Sequence, residues 1–208
     1  MNKITRKPMI SILMAVYNTE EFLPTAIDSV IKQTYEQWEL ICINDGSTDN
    51  SLNLLRQYQD KDSRIIVIDH PHCGTAAGSR NVGLDITRGH YIAMLDSDDK
   101  IEPAYFEKLV SRQHQTDADI VISSVCFWDY VNNKIHKILA GVDGDTRKIL
   151  TGRESFVLSL RWQIGGIGLH NAKILRQIKY CECGMNGDEY TTRLLFLHAA
   201  RVAFCDAI

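Results

Sequence analysis

The chain has 208 residues, of which 45% are hydrophobic and 24% charged, and this is enough for one globular domain with a sizeable core. Its formal net charge of −3 offers no basic surface for phosphate groups, so the composition argues against a nucleic-acid partner. No apolar run approaches the roughly 18 residues of a membrane-spanning helix, and the first twenty residues lack the pattern of a secretion signal. We therefore expect a cytoplasmic protein.

The first half of the sequence predicts strands that alternate with helices. Continuous apolar runs of strand length stand at 10–16, 39–44, 64–70 and 90–96. Apolar residues at helical spacing follow them, at 17–33, 45–58, 74–89 and 102–113. Asn18 is the expected N-cap of the first helix, with Glu21 completing a capping box, and Thr75 is expected to open the third helix. This alternation favours an α/β fold with a mainly parallel central sheet and helices on both faces.

The last third of the sequence is less regular. It predicts a fifth strand at 118–128, a hairpin at Asn132 and Asn133, helices at 151–162 and 187–200, and a final strand at 201–208. Thr151 and Glu154 form the expected capping box of the first of these helices. Because the chain ends on an apolar strand pattern, we expect the core of a domain cut from a longer protein.

Polar residues collect at the ends of the predicted strands. In an open parallel sheet, ligands bind beyond the carboxyl ends of the strands, where the loops converge. The residues in those positions are Tyr17, Asn18, Asp45, His70, His72, Asp96, Ser97, Asp98 and Asp99. Each could be a turn or cap residue by itself, but their coincidence at four strand ends favours a binding site.

The three carboxylates that follow the fourth strand repel one another, and a bound divalent cation relieves that repulsion. Mg²⁺ and Mn²⁺ prefer oxygen ligands and are often shared between one or two carboxylates and the phosphates of a substrate. The loop after the first strand contains no glycine, and neither a dinucleotide-binding nor a nucleoside-triphosphate glycine loop occurs. The pattern therefore indicates a phosphorylated ligand whose charge is met by a cation held at Asp98, with help from Arg80 or from backbone N–H groups around 73–81.

Three segments resemble the family 2 glycosyltransferases, inverting enzymes of the GT-A fold that use nucleotide diphosphosugars. They are "SILMAVYNTEEFLPTAIDSVIKQTYEQWELICINDGSTDNS", "GSRNVGL" and "YIAMLDSDD", in family order. The resemblance implies a single GT-A domain over 1–208. Its nucleotide-sugar-binding half would be 1–110 and its acceptor-side half 111–208, the latter truncated at its C-terminus.

The resemblance also implies roles for individual residues. Ala15 and Tyr17 would border the nucleotide base, and Asp45 would accept a hydrogen bond from it. Glu20 and Arg80 would support the nucleotide pocket.

The metal follows from the same resemblance. Asp96 would lie by the ribose and the metal's water shell, and Asp98 would ligate the Mn²⁺ or Mg²⁺ ion that joins the two phosphates.

The catalytic base is expected at the start of a late helix. There the family commonly carries a Glu-Asp pair, and this chain has Asp188 and Glu189 in the reverse order. Glu189 is the first choice and Asp188 the second, although both could simply favour the positive end of the helix dipole. Trp162 is a candidate contact for an acceptor sugar ring, with burial in the core as the alternative.

The implied partners are a nucleotide diphosphosugar, with a uridine diphosphosugar as the expected donor, and a saccharide or lipid-linked acceptor. Peripheral association with the inner face of the plasma membrane and a homodimer are left open. Two other functions stay in play: a nucleotide-sugar-binding fragment without turnover and a sugar-phosphate nucleotidyltransferase. The second usually opens with a glycine-rich basic loop, which "AVYNTEEF" lacks.

Overall fold

A computed structural model describes residues 8–129, 132, 134–182, 184 and 187–208. Its strands are β1 (Ile10–Val16), β2 (Trp38–Asp45), β3 (Ile65–His70), β4 (Tyr91–Met94), β5 (Ile120–Ile122), β6 (Val125–Asp129), β7 (Lys134–Leu139), β8 (Ile149–Thr151), β9 (Gly168–Asn171) and β10 (Arg201–Phe204). Its helices are α1 (Leu23–Ile31), α2 (Ser51–Lys61), α3 (Ala76–Leu84), α4 (Tyr105–Thr116), α5 (Gly152–Leu160), α6 (Ala172–Ile178) and α7 (Gly187–His198).

Eight strands form one sheet in the order β3-β2-β1-β4-β9-β5-β10-β8, and β6 and β7 form a separate hairpin. The first four strands of that order are parallel to one another. Strand β9 is antiparallel to both of its neighbours, and β8 is antiparallel to β10. The expected α/β fold with a large central sheet is confirmed, and the sheet is parallel in its first half and mixed in its second.

Alternate residues of β1 supply two cores, one on each face of the sheet. Ile12 and Met14 pack in one cluster with Ile27 of α1, and Leu13 packs in the other with Leu84 of α3. Side chains of a strand point alternately to its two faces, so a strand that is apolar throughout must be covered on both. Helix α4 adds to the first cluster, and α6 and α7 add to the second.

Glu39 is a charged residue inside this apolar sheet, and it is only 1% exposed. Its carboxylate accepts hydrogen bonds from the Ser11 hydroxyl at 2.6 Å and from the backbone N–H of Arg88 at 2.7 Å. The Arg88 guanidinium completes the site with an ion pair at 2.7 Å. The network ties β1 and β2 to the segment that follows α3.

Several predicted boundaries are wrong. The first helix begins at Leu23, next to Pro24, and Asn18 is not its cap, because the Asn18 side-chain oxygen accepts a hydrogen bond from Thr48 N–H at 2.7 Å. The predicted fifth strand is two strands, since β5 belongs to the central sheet and β6 to the hairpin. The predicted hairpin is present as β6 and β7, and Asn133, which was predicted with Asn132 to form it, lies outside the described residues.

Other expectations for the fold are confirmed. The Thr75 side chain caps α3 by accepting from Gly78 N–H, and Thr151 and Glu154 form the capping box of α5. Strands β8 and β9 and helix α6 were not predicted. Within the described ranges, no helix is long and apolar enough to cross a membrane.

Candidate active site

A cavity of about 860 Å³, here called the large cavity, lies at the carboxyl ends of the parallel strands β1, β2 and β4. The first residues of α3 and α7 complete its wall. Seven of the sequence-predicted site residues line it: Ala15, Tyr17, Asp45, Arg80, Asp96, Asp98 and Asp188. The large cavity is thus built where an open α/β sheet is expected to bind its ligand.

Asp45 is the last residue of β2 and is 4% exposed. Its carboxylate accepts backbone N–H groups from Cys73 at 2.7 Å and from Gly74 at 3.2 Å, and it lies 3.0 Å from His72 Nδ1. Burial opposes ionisation, but these N–H groups and the nearby His72 outweigh it and lower the pKa of Asp45. An ionised acceptor is therefore fixed at the end of β2.

The loop after Asp45 depends on glycine. Gly46 has a φ of +68°, and a Cβ there would lie 2.9 Å from the backbone nitrogen of His72. A glycine is the residue that accepts both the left-handed conformation and this close approach. The loop after β2 can therefore pack against the loop after β3.

Tyr17 and His72 form an aromatic wall on the large cavity. Their ring centroids are 4.4 Å apart with an angle of 25° between the planes, and the Tyr17 side chain remains half exposed. The exposed part of the Tyr17 ring is therefore free to contact a flat ligand, and stacking there is favourable because offset-stacked aromatic rings attract one another.

Arg80 brings a buried positive charge to the same cavity. It is 6% exposed, and its guanidinium donates a short hydrogen bond to Asp96 Oδ1. The Nε atom of Arg80 is buried and has no hydrogen-bond partner among the described residues. A buried guanidinium nitrogen without a partner fits a site that receives an anionic ligand.

The residues after β4 fit a divalent cation. Asp96 and Asp98 are exposed on the wall of the large cavity, where they offer carboxylate oxygens of the kind that Mg²⁺ and Mn²⁺ prefer. Partial desolvation and the nearby charges of Asp96 and Asp98 raise the pKa of Asp99. Asp99 is therefore repelled by both neighbouring carboxylates, and a cation held at Asp96 and Asp98 would offset their negative charge.

Glu20 does not line the large cavity. Its carboxylate accepts the backbone N–H of Asn50 at 2.7 Å, and its own N–H donates to Asp49 at 3.0 Å. Glu20 therefore joins the loop after β1 to the start of α2, and its support of the cavity is indirect.

Two smaller cavities adjoin the large one, and Asp188 lines all three. The hairpin cavity, of about 150 Å³, lies beside Cys126 of β6 and also includes Asp96 and Asp99. The tryptophan cavity, of about 140 Å³, includes Trp162 and Glu189. Asp188 therefore stands at the junction of the three.

Glu189 and Trp162 are linked through a residue that the sequence did not suggest. Arg193 lies one helical turn after Glu189, with 3.6 Å between the guanidinium and the carboxylate. The guanidinium carbon of Arg193 also lies 5.5 Å from the centroid of the Trp162 ring. Trp162 is 70% exposed, so its alternative reading as a core residue is wrong.

A match to the family model described as Glycosyl transferase family 2 covers residues 11–180. The chain therefore belongs to glycosyltransferase family 2.

Two relatives show how similar the sequence is to those of known glycosyltransferases. Glycosyltransferase GlyG of Streptococcus pneumoniae serotype 4 is 33% identical over 135 residues, which are 65% of this chain and 45% of GlyG. The UDP-Glc:alpha-D-GlcNAc-diphosphoundecaprenol beta-1,3-glucosyltransferase WfaP of Escherichia coli is 43% identical over 91 residues, which are 44% of this chain and 36% of WfaP. The chain thus matches less than half of the length of either relative.

Solved structures confirm the GT-A fold. S. aureus TarS 1-349 in complex with UDP-GlcNAc is similar with a TM-score of 0.79 at 20% identity, over 94% of this chain and 55% of that one. The mannosyltransferase PcManGT from Pyrobaculum calidifontis, in complex with GDP-Man and Mn²⁺, has a TM-score of 0.68 at 13% identity, over 97% of this chain and 57% of that one.

Proposed function

We propose that the chain transfers a sugar from a nucleotide diphosphosugar to an acceptor hydroxyl, with inversion at the anomeric carbon, in the synthesis of a surface polysaccharide or glycolipid. One observation carries the proposal. The large cavity gathers an ionised acceptor at Asp45, a buried cation at Arg80 and the carboxylates Asp96 and Asp98, and it reaches Asp188 at the junction with the smaller cavities.

The donor binds in the large cavity. Its nucleotide base lies against Ala15 and Tyr17 and donates a ring N–H to the Asp45 carboxylate, which stays ionised and so accepts strongly. Glu20 holds the surrounding loop in place. Arg80 stands close to the diphosphate and offers a hydrogen-bond donor from its unpartnered Nε.

Asp98 would hold a Mn²⁺ or Mg²⁺ ion, and Asp96 would lie beside the ribose and the water bound to that ion. When bound, such an ion neutralises the charge that develops on the departing diphosphate. Asp96 is meanwhile kept in place by Arg80, which limits how far the carboxylate can move.

Asp188 is the catalytic base in this proposal, which reverses the order given to the pair by the sequence. A general base must reach the acceptor hydroxyl where that hydroxyl meets the donor, and Asp188 stands at the junction of the three cavities. Glu189 lines the tryptophan cavity and has its charge partly met by Arg193. Asp188 takes the proton of the acceptor hydroxyl while the oxygen bonds to the anomeric carbon and the nucleotide diphosphate leaves.

The acceptor occupies the tryptophan cavity, with a sugar ring against the exposed Trp162. A uridine diphosphosugar is the donor that we propose, because WfaP is named as a UDP-Glc-dependent transferase and TarS forms a complex with UDP-GlcNAc. PcManGT is described with GDP-Man, so guanosine diphosphosugars belong in the same test. A lipid-linked acceptor, membrane association, a homodimer and a cytoplasmic location stay predictions.

The proposal is tested with Asp98→Ala. We expect the protein to bind uridine or guanosine diphosphate with Mn²⁺ in calorimetry, and the variant to lose at least about tenfold in affinity, or about 1.4 kcal/mol. Asp60→Ala, an exposed acid on α2, is the matched control and should bind normally.

Transfer is then measured with a panel of nucleotide sugars and acceptors. Normal Mn²⁺-dependent binding by Asp98→Ala would show that the metal is not held there. Tight binding without transfer or donor hydrolysis would favour the binding fragment, and formation of a nucleotide sugar from a sugar phosphate would favour the nucleotidyltransferase.

A further inference from the structure

Three ligating side chains of different chemistry meet beside the large cavity. A carboxylate oxygen of Asp45, a ring nitrogen of His70 and the sulfur of Cys73 lie within 4.8 Å of one another. In the part of the chain that the structure describes, this is the one such group of three or more His, Cys, Asp or Glu residues. Its sulfur and nitrogen atoms suit a zinc-like ion, whereas the oxygens of Asp96 and Asp98 suit Mg²⁺ or Mn²⁺.

The backbone already holds these residues together. Asp45 and His70 are direct partners in the parallel register of β2 and β3. The backbone N–H of Cys73 donates to Asp45 Oδ1 at 2.7 Å, which fixes the loop after β3 against the end of β2. An ion that binds here would therefore need little rearrangement of the chain.

Each of the three groups also has capacity for a further bond. His70 Nδ1 is buried and has no hydrogen-bond partner among the described residues. An unpaired buried polar atom costs free energy of folding, and a bound ligand or ion would remove that cost. Asp45 Oδ1 has two lone pairs, and the described contacts show one N–H donor to it. The Cys73 thiol makes weak contacts at 3.4 Å with Thr75 and Ser79.

We propose that Asp45, His70 and Cys73 form a binding site for a thiophilic divalent ion such as Zn²⁺, with water as the fourth ligand. Binding releases the thiol proton of Cys73 to solvent, because the thiolate is the ligand. The second consequence rests on the proposed function: an ion there takes the Asp45 carboxylate that the nucleotide base requires. Zn²⁺ at this site therefore inhibits the enzyme by competing with the donor.

Metal binding is tested first, without nucleotide. The protein is titrated with Co²⁺ and Cd²⁺ to detect thiolate-to-metal absorption, and the Zn²⁺ affinity is measured by competition with a chromophoric chelator. We expect one ion per chain. Cys73→Ser should lose the absorption band and at least about tenfold in Zn²⁺ affinity, and His70→Gln should lose affinity but keep the band. Cys126→Ser, at another free and partly exposed cysteine, should behave like the unmodified protein.

Competition is tested second, by calorimetry of uridine and guanosine diphosphate with Mg²⁺ present. Micromolar Zn²⁺ should weaken nucleotide binding at least about tenfold in the unmodified protein and much less in Cys73→Ser, and a chelator should restore it. A Cys73→Ser variant that keeps full Zn²⁺ affinity, or an equal loss in Cys126→Ser, would overturn the site. Normal nucleotide binding that ignores bound Zn²⁺ would overturn the competition.

The two proposals fail in different ways. If Zn²⁺ binds through Cys73 but neither nucleotide binds the zinc-free protein, the metal site stands and the proposed function falls. If a nucleotide binds and no thiolate signal appears, the proposed function stands and the metal site falls.

Discussion

His170 lies in the middle of β9 and is 1% exposed. Desolvation by burial lowers its pKa from 6.5 to about 4, because the charged ring loses its water. In the unfolded chain the ring gains a proton as the pH falls through 6.5, whereas in the folded protein it does so near 4. The unfolded state therefore binds more protons in this window, and the folding free energy that depends on neutral His170 is lost as the pH falls from 6.5 to 4.

We expect His170 to reduce the free energy of unfolding by about 2 kcal/mol between pH 7 and pH 5. The measurement is urea unfolding at both pH values for the unmodified protein and for His170→Leu, which should lack this contribution. His136→Gln, at an exposed histidine of β7, should keep it. An identical pH dependence in His170→Leu would show that another group is responsible.

Single residues differ in how far the sequence reveals them. Asp45, Asp96 and Asp98 were predictable because each follows an apolar strand, and the carboxyl ends of parallel strands share one edge. His72 was also predicted at a strand end, but its stacking on Tyr17 and the contacts of Arg193 with Glu189 and Trp162 arise from tertiary packing that no local pattern encodes. The predicted N-cap is wrong because the Asn18 side chain accepts a hydrogen bond from Thr48, thirty residues along the chain, instead of capping its own helix.

At the scale of elements, the apolar pattern of β1 and β2 does not predict the buried network that joins Glu39 to Ser11 and Arg88. Removing the Arg88 side chain takes a charged hydrogen-bond donor from the buried Glu39 carboxylate, although that side chain is itself 66% exposed and Glu39 keeps its bonds to Ser11 and to the Arg88 backbone N–H. A hydrogen bond to a charged group is worth about 1.5 to 3 kcal/mol, so Arg88→Ala should lower the free energy of unfolding by about 2 kcal/mol in urea denaturation.

The control for Arg88→Ala is Arg56→Ala. The Arg56 ion pair with Asp69 is 3.6 Å long and more than half exposed on both sides, so its loss should cost less than about 1 kcal/mol. Equal effects of the two variants would mean that the Glu39 network adds no more than an ordinary surface ion pair.

The first four strands were predictable because each is a long apolar run with a helix after it. Strands β8 and β9 have three and four residues, and β9 contains a glycine and a histidine, so neither shows a strand pattern. Their antiparallel pairing with β10, β4 and β5 comes from tertiary packing. The predicted fifth strand is wrong for a related reason, since β5 and β6 belong to different sheets although only Ser123 and Ser124 separate them.

At the scale of the whole molecule, the two halves of the sheet carry different parts of the proposed reaction. The parallel half, β3-β2-β1-β4, places Asp45, Asp96 and Asp98 on one edge. The mixed half begins with β9 and includes β10, which follows α7 along the chain. Helix α7 places Asp188 at the large cavity and both Asp188 and Glu189 at the tryptophan cavity. Donor binding and proton removal should therefore be separable by mutation.

That separation is tested by comparing Asp188→Asn with Glu189→Gln. We expect Asp188→Asn to bind the nucleotide sugar within about threefold of normal and to lose at least about 100-fold in transfer rate, since a general base typically contributes that much. Glu189→Gln should keep the transfer rate within about tenfold and raise the KM of the acceptor, because the residue lines the tryptophan cavity. Thermal unfolding of both variants checks that α7 is intact. Normal transfer by Asp188→Asn together with an inactive Glu189→Gln would return the base to Glu189.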